Sequence, residues 1–216
     1  MKKILLSYFC MLATGASQAA TINWSASNDT GLATASGSAL PIGSLIQLGY
    51  FTVADSVISA AVTAGDISTI SSDWVSIAST TVGTGTSLAA SYTLTSTPTL
   101  SGAALGHQIY EWAVNASTVG AATQQAIFYE PSTSNPSWNF PGSNLASTTI
   151  DIGQAKTSLG GTYLAGSYQS NNAAVSTVFG APTGAVQLQA IAIPEPSRAI
   201  LTLAGFGLVL TRRRRR

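Results

Sequence analysis

The strongest constraint in this sequence is its punctuation. From residue 20 to residue 193, short runs rich in Val, Ile, Thr, Tyr and Trp recur, each closed by Gly, Pro, Asn or Asp. Runs of that length and chemistry read as strands. They are Thr21–Ser27, Ser44–Phe51, Trp74–Thr80, Ser87–Thr95, Gln108–Asn115, Gln125–Tyr129, Thr148–Ile152, Thr162–Tyr168, Val175–Phe179 and Ala185–Ile193. In the last run Val186, Leu188 and Ala190 alternate with Gln187 and Gln189, the pattern of a strand with one face buried. Ile150 and Ile152 flank Asp151 in the same way, and Tyr110, Trp112 and Val114 share a face opposite Glu111.

One segment breaks the pattern. Ser56 to Ala64 carries Val57, Ile58, Ala61 and Val62 at helical spacing, with Asp55 at an N-cap position and Gly65 at a C-cap position. Many short strands and a minor helix predict an all-β chain. The expected architecture is a single β-sandwich, of jelly-roll or immunoglobulin-like type, over residues 20–192. Gly83-Thr84-Gly85 reads as a hairpin turn within it.

Charge narrows the functional classes. Charged residues make up 8% of the chain, and its formal net charge is +1. The cations crowd at the ends, as Lys2, Lys3, Arg198 and Arg212 to Arg216. The interior keeps Lys156 against Asp29, Asp55, Asp66, Asp73, Glu111, Glu130 and Asp151, a net charge of −6. That balance argues against nucleic acid as a partner, because phosphate binding needs clustered cations.

The N-terminus has the layout of a secretory signal peptide, residues 1–19. Lys2 and Lys3 precede the apolar stretch Ile4 to Ala13, and Ser17 and Ala19 place small side chains before a cut at Ala19 or Ala20. The expected partners are the Sec translocon and signal peptidase. Cys10, the only cysteine, lies inside this signal, so the processed chain is expected to have no thiol and no disulfide.

Residues 193–216 form a second signal. Pro194-Glu195-Pro196-Ser197 is followed by Arg198 and an apolar run containing Ala199, Ile200, Leu201, Leu203, Phe206, Leu208, Val209 and Leu210. Thr211 and Arg212, Arg213, Arg214, Arg215 and Arg216 follow. As a helix the run is about 20 Å long at 1.5 Å per residue. A hydrocarbon core is about 30 Å thick, so this suits a transient membrane insertion rather than a lasting anchor. The arginines would act as a cytoplasmic stop, leaving the domain outside.

This tripartite tail resembles the PEP-CTERM sorting signal of Gram-negative and related bacteria. The resemblance implies processing by an exosortase, a membrane-embedded cysteine protease or transpeptidase. It also implies delivery, after a transient stay in the inner membrane, to the cell surface or the extracellular polysaccharide matrix. The stretch from His107 to Ile152 is similar to a pattern in PEP-CTERM proteins of verrucomicrobia and planctomycetes. It includes Gln108-Ile109-Tyr110, Trp112 to Ala116, Gln125 to Phe128 and Trp138-Asn139-Phe140-Pro141. Those relatives have no agreed activity, so this second resemblance adds no chemistry.

Residue chemistry gives little sign of catalysis. His107 is the sole histidine and reads as an edge or turn residue. No Gly-x-Ser-x-Gly elbow is present. No metal site and no cofactor are expected, since the aspartates are scattered and suit turns and caps. The expected role is structural or adhesive, without catalysis. Two alternatives stand beside it. A carbohydrate-binding module would stack sugars on Trp112 and Trp138, and Trp138 lies between Pro136 and Pro141 in a polar loop expected to be exposed. A glycoside-active enzyme would need Glu111 and Glu130 held across a cleft.

Overall fold

The computed structural model describes residues 19–26, 29–181 and 183–192. The signal segment before Ala19 and every residue assigned to the sorting tail, Pro194 to Arg216, lie outside these. Twelve strands and three α-helices follow one another in the described chain. The strands are β1 (Thr21–Ala26), β2 (Thr30–Ala33), β3 (Leu45–Phe51), β4 (Trp74–Thr81), β5 (Tyr92–Ser96) and β6 (Tyr110–Val114). After them come β7 (Gln124–Tyr129), β8 (Ser147–Asp151), β9 (Thr162–Ala165), β10 (Ser167–Gln169), β11 (Gly184–Gln187) and β12 (Gln189–Ala190). The helices are α1 (Asp55–Ala64), α2 (Ile67–Ser72) and α3 (Ala173–Phe179). The fold is all-β.

The strands form three sheets, ordered β5-β1-β8, β10-β11-β2 and β12-β7-β6-β3-β4, with β9 also paired to β7. Most neighbours are antiparallel. Two pairs are parallel, β1 with β8 and β2 with β11, each joining residues far apart in sequence.

Two main cores and a smaller cluster of Ala33, Ala90, Val175 and Ala185 beside α3 explain the positions of the apolar residues. In β1 the polar Thr21, Asn23 and Ser25 alternate with the buried Ile22, Trp24 and Ala26. Those buried residues, with Tyr92 and Ile150, meet Ile46, Leu48, Ala113, Ala126 and Phe128 from the six-stranded sheet. The opposite face of that sheet is also covered. There Phe51, Trp112, Val114, Ile127 and Ala165 pack against Ile58, Ala61 and Val62 of α1 and Ile70 of α2. Around β6 the sheet is buried on both faces, and this corrects the reading of β6. Glu111, expected on the outside, faces the inner core and is completely buried.

Three local expectations also change. Val175–Phe179 is the body of α3 rather than a strand: the Asn172 side chain accepts from the Val175 N–H at 3.0 Å and starts the helix. Val175 and Phe179 pack α3 onto β2 at Gly31, where a Cβ would lie 2.7 Å from Val175 Cγ1. Asp55 is the first residue of α1 rather than its cap, and Gly65, at φ +70°, ends that helix as expected. Between β4 and β5 the chain does turn at residues 83–86, but the two strands belong to different sheets, so the turn is a corner and not a hairpin.

Candidate functional site

The residues proposed for sugar stacking are both inside. Trp112 lies on β6 beneath α1, is 1% exposed, and donates from Nε1 to Gln125 Oε1 at 3.1 Å. Its ring meets Trp74 edge-on at 5.7 Å. Trp138 is fully buried, and its Nε1 donates to Gln154 Oε1 at 3.1 Å. The loop expected to hold it outside folds inward for a local reason. Asn135 caps a 3-10 turn over Pro136–Trp138, and the Ile109 N–H and the Gln108 amide both donate to the Trp138 carbonyl. Neither ring offers an open face, so neither has the stacking role expected of it.

The two glutamates proposed for a glycosidase are buried as well, each with its own partner. Glu111 sits in the middle of β6, and the Tyr92 hydroxyl donates to its Oε2 from the opposing sheet. Its other oxygen has no protein partner. Burial pushes the Glu111 carboxyl up to about 8, partly offset by the Tyr92 hydrogen bond and reinforced by the Asp151 carboxylate. At neutral pH it is therefore largely an uncharged acid. Burial and the neighbouring Glu111 push the Tyr92 hydroxyl well above its ordinary range. Glu130 follows β7, is 5% exposed, and accepts instead from Asn135 Nδ2 at 2.9 Å. Each carboxyl is held by its own partner inside the protein, and Glu111 lies out of reach of a solvent-borne glycosidic bond.

Two polar clusters were not anticipated. Asp55 binds the hydroxyls of Tyr110 at 2.7 Å and Tyr129 at 2.6 Å, one on each carboxylate oxygen. This ties the start of α1 to β6 and β7. Burial, then the Asp55 hydrogen bond, pushes the Tyr129 hydroxyl up to about 12, and Tyr110 moves the same way. In the second cluster Asp151 accepts from Ser25 Oγ at 2.6 Å and from the Gly153 N–H at 2.7 Å. Nearby, Lys156 pairs with Asp29 at 2.6 Å. Burial raises the Asp151 carboxyl, while Asp29 holds the Lys156 ammonium above its ordinary value. These residues are far apart in sequence, and no short motif announces either cluster.

His107 is exposed in a turn, 4.8 Å from the Tyr50 ring, as its reading predicted. Among the described residues no group of three or more His, Cys, Asp or Glu is placed to hold a metal ion. Among them, too, no helix is long and apolar enough to cross a membrane; the segment read as a membrane helix lies beyond them.

Both ends of the described residues are tied to the sheets by backbone hydrogen bonds. Ala20 is completely buried, and its N–H donates to the Pro98 carbonyl at 3.0 Å, whereas Ala19 is partly exposed. At the other end β12 pairs with β7, and the Ile191 N–H donates to the Thr123 carbonyl at 2.9 Å. Ala192 is exposed. Compared with protein-family models, with curated proteins and with solved structures, the chain gives no match.

Proposed function

We propose that this protein is an exported bacterial cell-surface or extracellular-polysaccharide-matrix protein. An exosortase sorts and processes it through its C-terminal signal, and its β domain serves a structural or adhesive role without catalysis. The observation that carries this reading is the order of the tail: Pro194-Glu195-Pro196-Ser197, then the apolar run Ala199 to Leu210, then Arg212 to Arg216. The apolar run pauses the chain in the membrane, the arginines hold its end in the cytoplasm, and the cut falls near Pro194-Glu195-Pro196. The burial of Ala20, whose N–H is bonded to Pro98, supports a signal-peptide cut just before it, after Ala19. The packing of two smaller sheets against a six-stranded sheet supports a sandwich of jelly-roll or immunoglobulin-like type, carrying a helical cover on one face.

The test is the intact mass of the protein recovered from the cells and from the medium of its native host. The expected species lacks residues 1–19 and everything beyond about Pro194, with or without an added surface polymer. A membrane-bound species that still carries Arg212 to Arg216 overturns the reading.

A further inference from the structure

The six-stranded sheet ends at β4, and that end is open. The backbone of Val75 to Thr80 pairs with β3; among the described residues it makes no other hydrogen bond. The side chains of residues 74–80 make none either. In an antiparallel ladder alternate residues aim their N–H and C=O groups away from the partner, so β4 presents a row of unpaired groups to solvent. Proteins usually blunt such an edge with charge, proline or brevity. This one is Trp-Val-Ser-Ile-Ala-Ser-Thr-Thr, eight residues with no charge and no proline. A bulge at Ile77, which is skipped between Leu48↔Ala78 and Gly49↔Ser76, adds twist but covers nothing. Val75, Ile77 and Ala78 pack on the inner core and remain half-buried, so the apolar layer is unfinished at this border.

We propose that β4 is a self-association edge: two copies pair β4 to β4, antiparallel about a two-fold axis, and join their six-stranded sheets. Charge selects both the partner and the direction. The interior of the chain carries one lysine against seven acidic residues, so two copies repel over most of their surface. β4 is neutral throughout, and the nearest charge is Asp73, just before its first residue. A parallel pairing would set the two Asp73 carboxylates about 5 Å apart. The antiparallel pairing places them at opposite ends, roughly 25 Å apart and beyond the Debye length of physiological salt. The exposed Ser76 and Ser79 then lie along the new ladder, where hydroxyls suit a half-wet sheet face. This inference does not depend on the fate of the tail.

The test uses the full chain, by hydrogen exchange at two protein concentrations and by sedimentation in mild detergent. Exchange across residues 74–81 is expected to slow at the higher concentration, while the interior strand β3 stays unchanged. In the double variant Ser76→Lys with Ser79→Lys, both changes fall at exposed positions, so the fold is retained. Facing lysines across the ladder are expected to weaken dimerisation about tenfold or more. Concentration-independent exchange over residues 74–81 overturns the proposal, and so does a lysine variant that associates like the wild type. Association through the apolar segment Ala199 to Leu210 would give the second result.

Discussion

The substitution Glu111→Gln turns the burial of this side chain into a measurable pH dependence. Glu111 has an ordinary value of 4.5 and is held at about 8 in the folded protein, chiefly by burial. The group is protonated in both states below pH 4.5. Between pH 4.5 and pH 8 the unfolded chain releases the proton and the folded chain keeps it, so stability falls as pH rises. The slope is about 1.4 kcal/mol per pH unit, and the whole window costs roughly 5 kcal/mol, of which roughly 3 is gone by pH 7. The amide of the variant cannot titrate. Its oxygen can still accept from Tyr92, but its N–H groups replace an oxygen that has no protein partner, a loss of about 1–3 kcal/mol. The wild type is therefore expected to be the more stable at pH 5 and the variant at pH 8, with the two curves crossing between. Urea unfolding followed by tryptophan fluorescence at pH 5, 6, 7 and 8 measures this. The difference between the two proteins cancels the other titrating groups, Asp151 excepted, since it is coupled to the site. A difference that stays constant from pH 5 to pH 8 would refute the claim that Glu111 is a neutral acid in the core.

Other substitutions probe the remaining polar ties. Asp55→Ala removes the acceptor of both the Tyr110 and Tyr129 hydroxyls and is expected to cost about 2–4 kcal/mol in urea unfolding. The same variant should speed amide exchange in α1 before it does so in the sheets. Asp66 caps α2 through Thr69 and Ser68, whose hydrogen bonds hold its carboxyl at about 2, below its ordinary 3.8. Its stabilisation is present above pH 3.8 and lost as pH falls toward 2, so Asp66→Ala should lower stability at neutral pH and flatten that acid limb in melts run from pH 5 to pH 2. Trp138→Ala is expected to cost about 3–5 kcal/mol, as a buried aromatic does. If the ring were a sugar platform instead, the variant would keep its stability and lose binding to a polysaccharide column.

Strand positions were largely legible because alternation leaves a period-two mark. β1, β3, β4, β7 and β8 lie within a residue or so of their expected bounds. What misled was chemistry that serves two structures. Val175, Thr177 and Val178 carry β propensity, yet the Asn172 cap and the small Ala173 and Ala174 let a helix settle on Gly31. α2 escaped notice because a six-residue Ser/Thr-rich segment has no usable period, and the signal that would have found it was Asp66 at its cap. Burial was harder to read. Nothing in the local sequence around Glu111 says that helices cover the far face of its sheet, so a solvent position was the natural inference. Trp138 lies in a stretch whose Pro, Ser and Asn content predicts a surface loop, but its carbonyl and ring nitrogen are bound by Gln108 and Gln154, one upstream and one downstream. The Tyr92–Glu111 and Asp55–Tyr110–Tyr129 contacts are long-range, and such pairings leave no trace in a single sequence.

The place of β1 has a consequence for how the molecule assembles. It is the first strand among the described residues and the middle strand of its sheet, with β5 on one side and β8 on the other. Its partners begin at Tyr92 and Ser147, and β2 waits longer still, for β11 at Gly184. A ribosome that delivers the N-terminus first thus releases a strand whose neighbours do not yet exist. Closing loops of that length costs entropy before any contact repays it. The domain cannot fold piecemeal from its leading end. The two three-stranded sheets close only once β8 and β11 are present, whereas the sequence-adjacent pairs β3–β4 and β6–β7 need no later strand.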